Sequence, residues 1–110
     1  MGDELLELDP EELEHWRQHG VPHVLLDVRR DDELEEAQIE GALHIPEREL
    51  ETRAREIPRD QPVVVMCHRG DRSLRVARLL ITEGFPEVYS LAGGIDEYAV
   101  RVDASLRRYE

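Results

Sequence analysis

Cys67 is the only cysteine in a chain of 110 residues, and it opens the run Cys67-His68-Arg69-Gly70-Asp71-Arg72-Ser73. A lone cysteine cannot form an internal disulfide, which leaves core filler or a reactive thiol as its main options. The neighbouring residues favour reactivity. Val63-Val64-Val65-Met66 before it is β-branched and apolar, and Ser73 to Glu83 after it carries Leu74, Ala77, Leu80 and Ile81 at helical spacing, so Cys67 stands where a strand gives way to a helix. Such a turn collects free backbone N–H groups, and the helix dipole adds partial positive charge there. With Arg69 and Arg72 in the same loop, a thiolate at Cys67 is expected to be stabilised, and so is the anionic persulfide formed when it holds an extra sulfur. Asp71 would oppose this if it pointed inward, and it is expected to turn outward or cap the helix. The thiol is read as exposed. His68 shares the mouth, but adjacent loop side chains tend to point apart, which argues against an acid–base role for it.

Several elements must position that loop. Asp9-Pro10-Glu11-Glu12 reads as a helix start, with Asp9 as N-cap and Glu12 completing a capping box, and the helix runs from about Pro10 to His19 before Gly20. Val24-Leu25-Leu26-Asp27-Val28 is a buried strand whose end emerges into a site, and Ala42-Leu43-His44-Ile45 is a second such run. Glu47 to Glu56, between Pro46 and Pro58, reads as an exposed helix. Gly84-Phe85-Pro86 stops the helix after the cysteine loop; Val88-Tyr89-Ser90-Leu91 is a last strand, and a further helix starts near Ile95 after Gly93-Gly94. Strands alternating with helices through connections too long for hairpins give an α/β fold, a mostly parallel central sheet flanked by helices on both faces. Ligands in such folds lie at the carboxyl ends of strands.

Composition narrows the function. The length supports one core and one domain, residues 1–110. A formal net charge of -12 disfavours nucleic acid and anionic membranes as partners. All fourteen basic residues are Arg, which removes Schiff-base lysines and phosphate-loop lysines. Short apolar runs and an acidic start lead to the expectation of a cytoplasmic protein. His15, His19 and His23 have no partner cysteine and do not make a metal site, and His44 reads as a satisfied core or rim residue. No cofactor is implied.

The cysteine loop, with its central Gly70 followed by Arg72 and Ser73, resembles the active-site loop of the rhodanese family. Leu26-Asp27-Val28-Arg29, Glu33, Gly41-Ala42-Leu43-His44-Ile45-Pro46 and Leu91-Ala92-Gly93-Gly94-Ile95 resemble further motifs of that family, from roughly Asp9 to Tyr109. The resemblance implies a sheet of about five strands and sulfur transfer from thiosulfate or a persulfide donor, through a Cys67 persulfide, to cyanide or a thiol. It implies Cys67 as nucleophile, the amides from His68 to Ser73 as cradle, and Arg72 as a brace or anion contact. Arg69 stands where a small residue is common and is expected to narrow the mouth or add anion affinity; Gln38, Ala37 and Tyr98 also depart from the pattern. Asp27, Arg29 and Glu33 are expected to form a supporting charge network under the loop.

The partners implied are small donor and acceptor molecules. The alternative is a persulfide carrier module serving a protein sulfur-relay partner, as in tRNA thiolation, molybdopterin or iron–sulfur assembly. A cysteine-dependent phosphatase or arsenate reductase is the rival chemistry, but only four residues separate Cys67 from Arg72, a smaller ring than the tyrosine-phosphatase type uses.

Overall fold

The run Val63–Met66 forms strand β4, and all four of its side chains are fully buried, as expected of a central parallel strand covered on both faces. The computed structural model describes residues 6–110. Around β4 lie β1 (Leu6–Leu8), β2 (Val24–Asp27), β3 (Leu43–His44) and β5 (Val88–Leu91), in the order β1-β5-β4-β2-β3, every neighbouring pair parallel. The helices are α1 (Pro10–Gln18), α2 (Asp31–Leu34), α3 (Leu50–Arg53), α4 (Asp71–Thr82) and α5 (Gly94–Arg101). None of the described helices is long and apolar enough to cross a membrane.

The alternation of a strand assigns side chains to two cores. Val63 and Val65 pack with Leu26, Leu50, Ile57, Phe85 and the α4 residues Val76, Ala77 and Leu80. Val64 and Met66 face the other way, onto Leu25, Leu91, Leu13 of α1, and Ile95 and Tyr98 of α5. From β2 the chain moves outward to β3, then returns to β4 and moves the opposite way to β5. The strand order therefore reverses between β2 and β4, and their carboxyl ends open a crevice there.

Local departures from expectation have physical causes. Asp9 makes no side-chain cap to α1; its carbonyl accepts from the N–H groups of Glu12 and Leu13, and the Glu12 carboxylate accepts from Trp16 Nε1 at 3.1 Å, so the capping box does not form. Glu47 to Glu56 is not one exposed helix. It breaks into 3-10 turns at Glu47–Glu49 and Ala54–Glu56 around the single turn of α3, because Leu50 is drawn into the core at 3% exposure. Helix α4 begins at Asp71 and buries Ser73, Val76, Ala77 and Leu80, leaving Leu74 and Ile81 at the margin of its buried face. Strand β1 and helix α2 were not foreseen; β1 is an edge strand on β5, and α2 is a single turn that delivers Glu33 inward.

Candidate active site

Cys67 continues β4 by one residue and lies on the same face as Val63 and Val65, the face that α4 covers. Its exposure is 0%, which corrects the reading of an exposed thiol: the first turn of α4 folds over it. Gly70 makes that turn possible with φ +109°, a conformation costly for any residue with a Cβ. The sulfur accepts from the backbone N–H of Gly70 at 3.1 Å and of Ser73 at 3.3 Å. Two of the amides from His68 to Ser73 thus reach Cys67 Sγ. The Arg72 and Asp71 N–H groups go to the Asp71 carboxylate, which they hold below the usual carboxylate range. Asp71 is the first residue of α4, after the N-cap Gly70, and its Oδ1 lies 3.9 Å from the sulfur.

The Ser73 hydroxyl lies 3.5 Å from Cys67 Sγ, donates to the Gly70 carbonyl at 3.1 Å, and pairs with Ser90 Oγ at 2.8 Å. Ser73 and Ser90 are both fully buried. Ser90 went unnoticed in the sequence, where a serine inside Val88–Leu91 reads as an ordinary strand residue. The Gly93-Gly94 turn meets the loop from the other side. A Cβ on Gly94 would lie 2.4 Å from the His68 carbonyl oxygen, and the Ile95 and Asp96 N–H groups donate to the carbonyls of Cys67 and His68 at 2.9 and 3.0 Å.

Under the loop runs a network of buried charge. Arg29, at 0% exposure, pairs with Asp27 at 2.7 Å and also donates to the carbonyls of Ala37 and Glu33. Burial alone would favour losing its charge, but Asp27 outweighs that and its pKa lies above the ordinary value. Glu33 takes both Arg72 terminal nitrogens, at 2.7 and 3.0 Å, and the Arg30 N–H at 3.0 Å. Burial pushes the Glu33 carboxyl upward, yet these donors together with the Tyr109 hydroxyl bring it down to about 2. Arg72 is thus a brace: its bond to Glu33 raises its pKa despite burial.

His68 faces away from the sulfur, its Nε2 on the Tyr109 carbonyl oxygen at 2.9 Å and its ring stacked on Tyr109 at 3.9 Å. Arg69 is exposed, with Glu110 3.9 Å away. His44 bonds the Arg29 carbonyl at 2.7 Å, as a satisfied rim residue would. Among the described residues no group of three His, Cys, Asp or Glu side chains is placed to hold a metal ion.

A doubly covered parallel sheet with a cysteine at a central strand end, its sulfur under the amides of the next helix, defines a class of α/β proteins suited to carrying an anionic sulfur. Residues 9–101 match the rhodanese-like domain, and the chain belongs to that family. The thiosulfate sulfurtransferase GlpE of Coxiella burnetii (strain RSA 331 / Henzerling II) is 40% identical over 75 residues, covering 68% of this chain and 70% of that protein. Reduced Bacillus anthracis CoADR-RHD superposes with a TM-score of 0.83 at 30% identity over 96% of this chain. The NAD-dependent persulfide reductase from A. fulgidus gives a TM-score of 0.67 at 37% identity over 83% of this chain. The match spans only 18% and 15% of those two longer chains. Family and relatives together associate the chain with sulfur transfer in general.

Proposed function

We propose that the protein is a rhodanese-type sulfurtransferase that carries a sulfane sulfur on Cys67. The thiolate attacks the outer sulfur of thiosulfate, the sulfur–sulfur bond breaks, and sulfite leaves with the bonding pair. A nucleophilic acceptor, cyanide or a thiolate, then attacks the terminal sulfur of the persulfide and restores the thiolate. The observation that carries this reading is the pair of amide donors, Gly70 and Ser73, aimed at Cys67 Sγ from the first turn of α4. Donors of this kind stabilise a thiolate, and a persulfide displaced outward by one sulfur remains beside the helix N-terminus. His68 and Arg69 line the mouth, Asp71 and Ser73 shape the loop, and Arg72 with Asp27, Arg29 and Glu33 braces it. The whole chain, 1–110, is read as one such domain.

Intact mass of the reduced protein after thiosulfate tests this directly. A gain of about one sulfur atom, absent in Cys67→Ser and lost on adding cyanide or a small thiol, is the expected result. No uptake from thiosulfate or from a persulfide donor would sink the reading.

A carrier role is the second reading, favoured by the two solved relatives in which the matching region is a small part of a longer chain. Loading from a protein persulfide but not from thiosulfate would favour it.

A further inference from the structure

The family match ends at residue 101, and the chain then turns back across the network under the cysteine loop. The Val102 and Asp103 N–H groups close on the Tyr98 carbonyl, Leu106 packs against the core on the α1 and α5 side, and Arg108 grips Asp96 through two bonds of 2.9 and 3.0 Å. This delivers Tyr109 between two buried charges. Arg29 has five guanidinium N–H groups to satisfy in a site without exposure. Asp27, Ala37 and the Glu33 carbonyl take four, and the Tyr109 hydroxyl accepts the last from Nη1 at 3.1 Å. The same hydroxyl donates to Glu33 Oε2 at 2.8 Å, beside the two bonds from Arg72. The ring and carbonyl of Tyr109 meanwhile hold His68.

We propose that Tyr109 is a positioning residue for the cysteine loop, its hydroxyl joining Arg29 to Glu33 so that Arg72 is held and its ring fixing His68. Arg72 precedes Ser73, whose N–H and hydroxyl both face Cys67 Sγ, and His68 follows the cysteine. One side chain beyond the family match therefore secures both sides of the loop. The catalytic part of this inference rests on the sulfurtransferase reading; the positioning part does not. A tyrosine that merely pinned the tail would need neither a donor to Glu33 nor an acceptor for Arg29.

The test uses the full chain, in which Cys67 is the only thiol, so alkylation by iodoacetamide reads one site. Alkylation and sulfur loading from thiosulfate are timed for the wild type, Tyr109→Phe, Glu33→Gln and the double variant, well below each melting transition. Tyr109→Phe removes the hydroxyl and keeps the stacked ring. Alkylation is expected to be about tenfold faster, because the buried sulfur is reached through a loosened loop, and loading about tenfold slower, because the donors lose their aim. Both effects should vanish in the Glu33→Gln background, since groups acting through one another are not additive. Should Glu33→Gln fail to fold, Arg72→Lys takes its place in the cycle. A lower melting temperature with both rates unchanged would overturn the proposal, as would equal effects of Tyr109→Phe with and without Glu33. A wild type that takes up no sulfur would end the sulfurtransferase reading, while the alkylation rates would still decide the role of Tyr109.

Discussion

Glu33 shows how much a single carboxylate contributes when its surroundings are built around its charge. It is 3% exposed and accepts from Arg72, the Arg30 N–H and Tyr109, which hold its pKa at about 2 against an ordinary 4.5. A folded-state pKa lowered in this way means that the unfolded chain binds the proton more readily. The stabilisation is therefore complete above about pH 4.5 and is lost as pH falls toward 2. Urea unfolding of the wild type and Glu33→Gln across that range should show the wild-type advantage shrinking as acid is added. Parallel stability curves would mean that Glu33 is not the group being titrated. The partner charge behaves differently. Arg72 cannot lose its proton in any accessible range, so Glu33 alone makes this brace acid-sensitive.

At the scale of elements, the site depends on how closely the turn before α5 approaches the cysteine loop. Gly94 has φ +64°, and a Cβ there would lie 2.4 Å from the His68 oxygen and 2.5 Å from the Cys67 oxygen, both backbone atoms. Gly41 also has positive φ, +90°, but faces open space. Gly41→Ala is expected to cost about 1–2 kcal/mol, the penalty of the left-handed region. Gly94→Ala adds a clash with backbone that cannot step aside, and should lower the melting temperature much further and displace the cysteine loop. Equal melting temperatures for the two variants would show that the turn can retreat from the loop. The elements in this contact were legible because each is locally consistent: β4 is uniformly β-branched and apolar, and the loop holds its glycine where the chain must turn. The unread elements depend on partners distant in sequence. Strand β1 gains its bonds only from β5, α2 is one turn long, and Leu50 breaks the segment around it by entering the core. Tyr109 gives no local signal either, as an aromatic among charged residues whose partner Glu33 lies 76 positions away. Burial of Cys67 is legible in the alternation Val63, Val65, Cys67, which places all three in one core, while the loop that follows carries the signal of reactivity.

At the scale of the molecule, the surplus of carboxylates sets how stability responds to salt. The chain carries 26 acidic residues against 14 arginines. Many arginines are paired at contact distance, as in Arg101–Glu11, Arg53–Glu56 and Arg108–Asp96. Exposed pairs of this kind contribute about 0–1 kcal/mol each, and at contact distance they lose only part of that to screening. The unpaired carboxylates act over longer distances. At about 0.01 M salt the screening length is about 30 Å. That is comparable to the molecule's extents of 35 × 29 × 24 Å, so each surplus charge repels all the others. At about 0.15 M the length falls to about 8 Å and only neighbours interact. The folded state holds these charges closer together than the unfolded chain does, so it gains more from the screening. The urea midpoint should therefore rise between those two salt concentrations, by an amount equivalent to roughly 1–3 kcal/mol. A midpoint that falls instead would mean that the surface pairs outweigh the net charge, and that the acid-rich surface is balanced by its arginine contacts rather than strained by its excess.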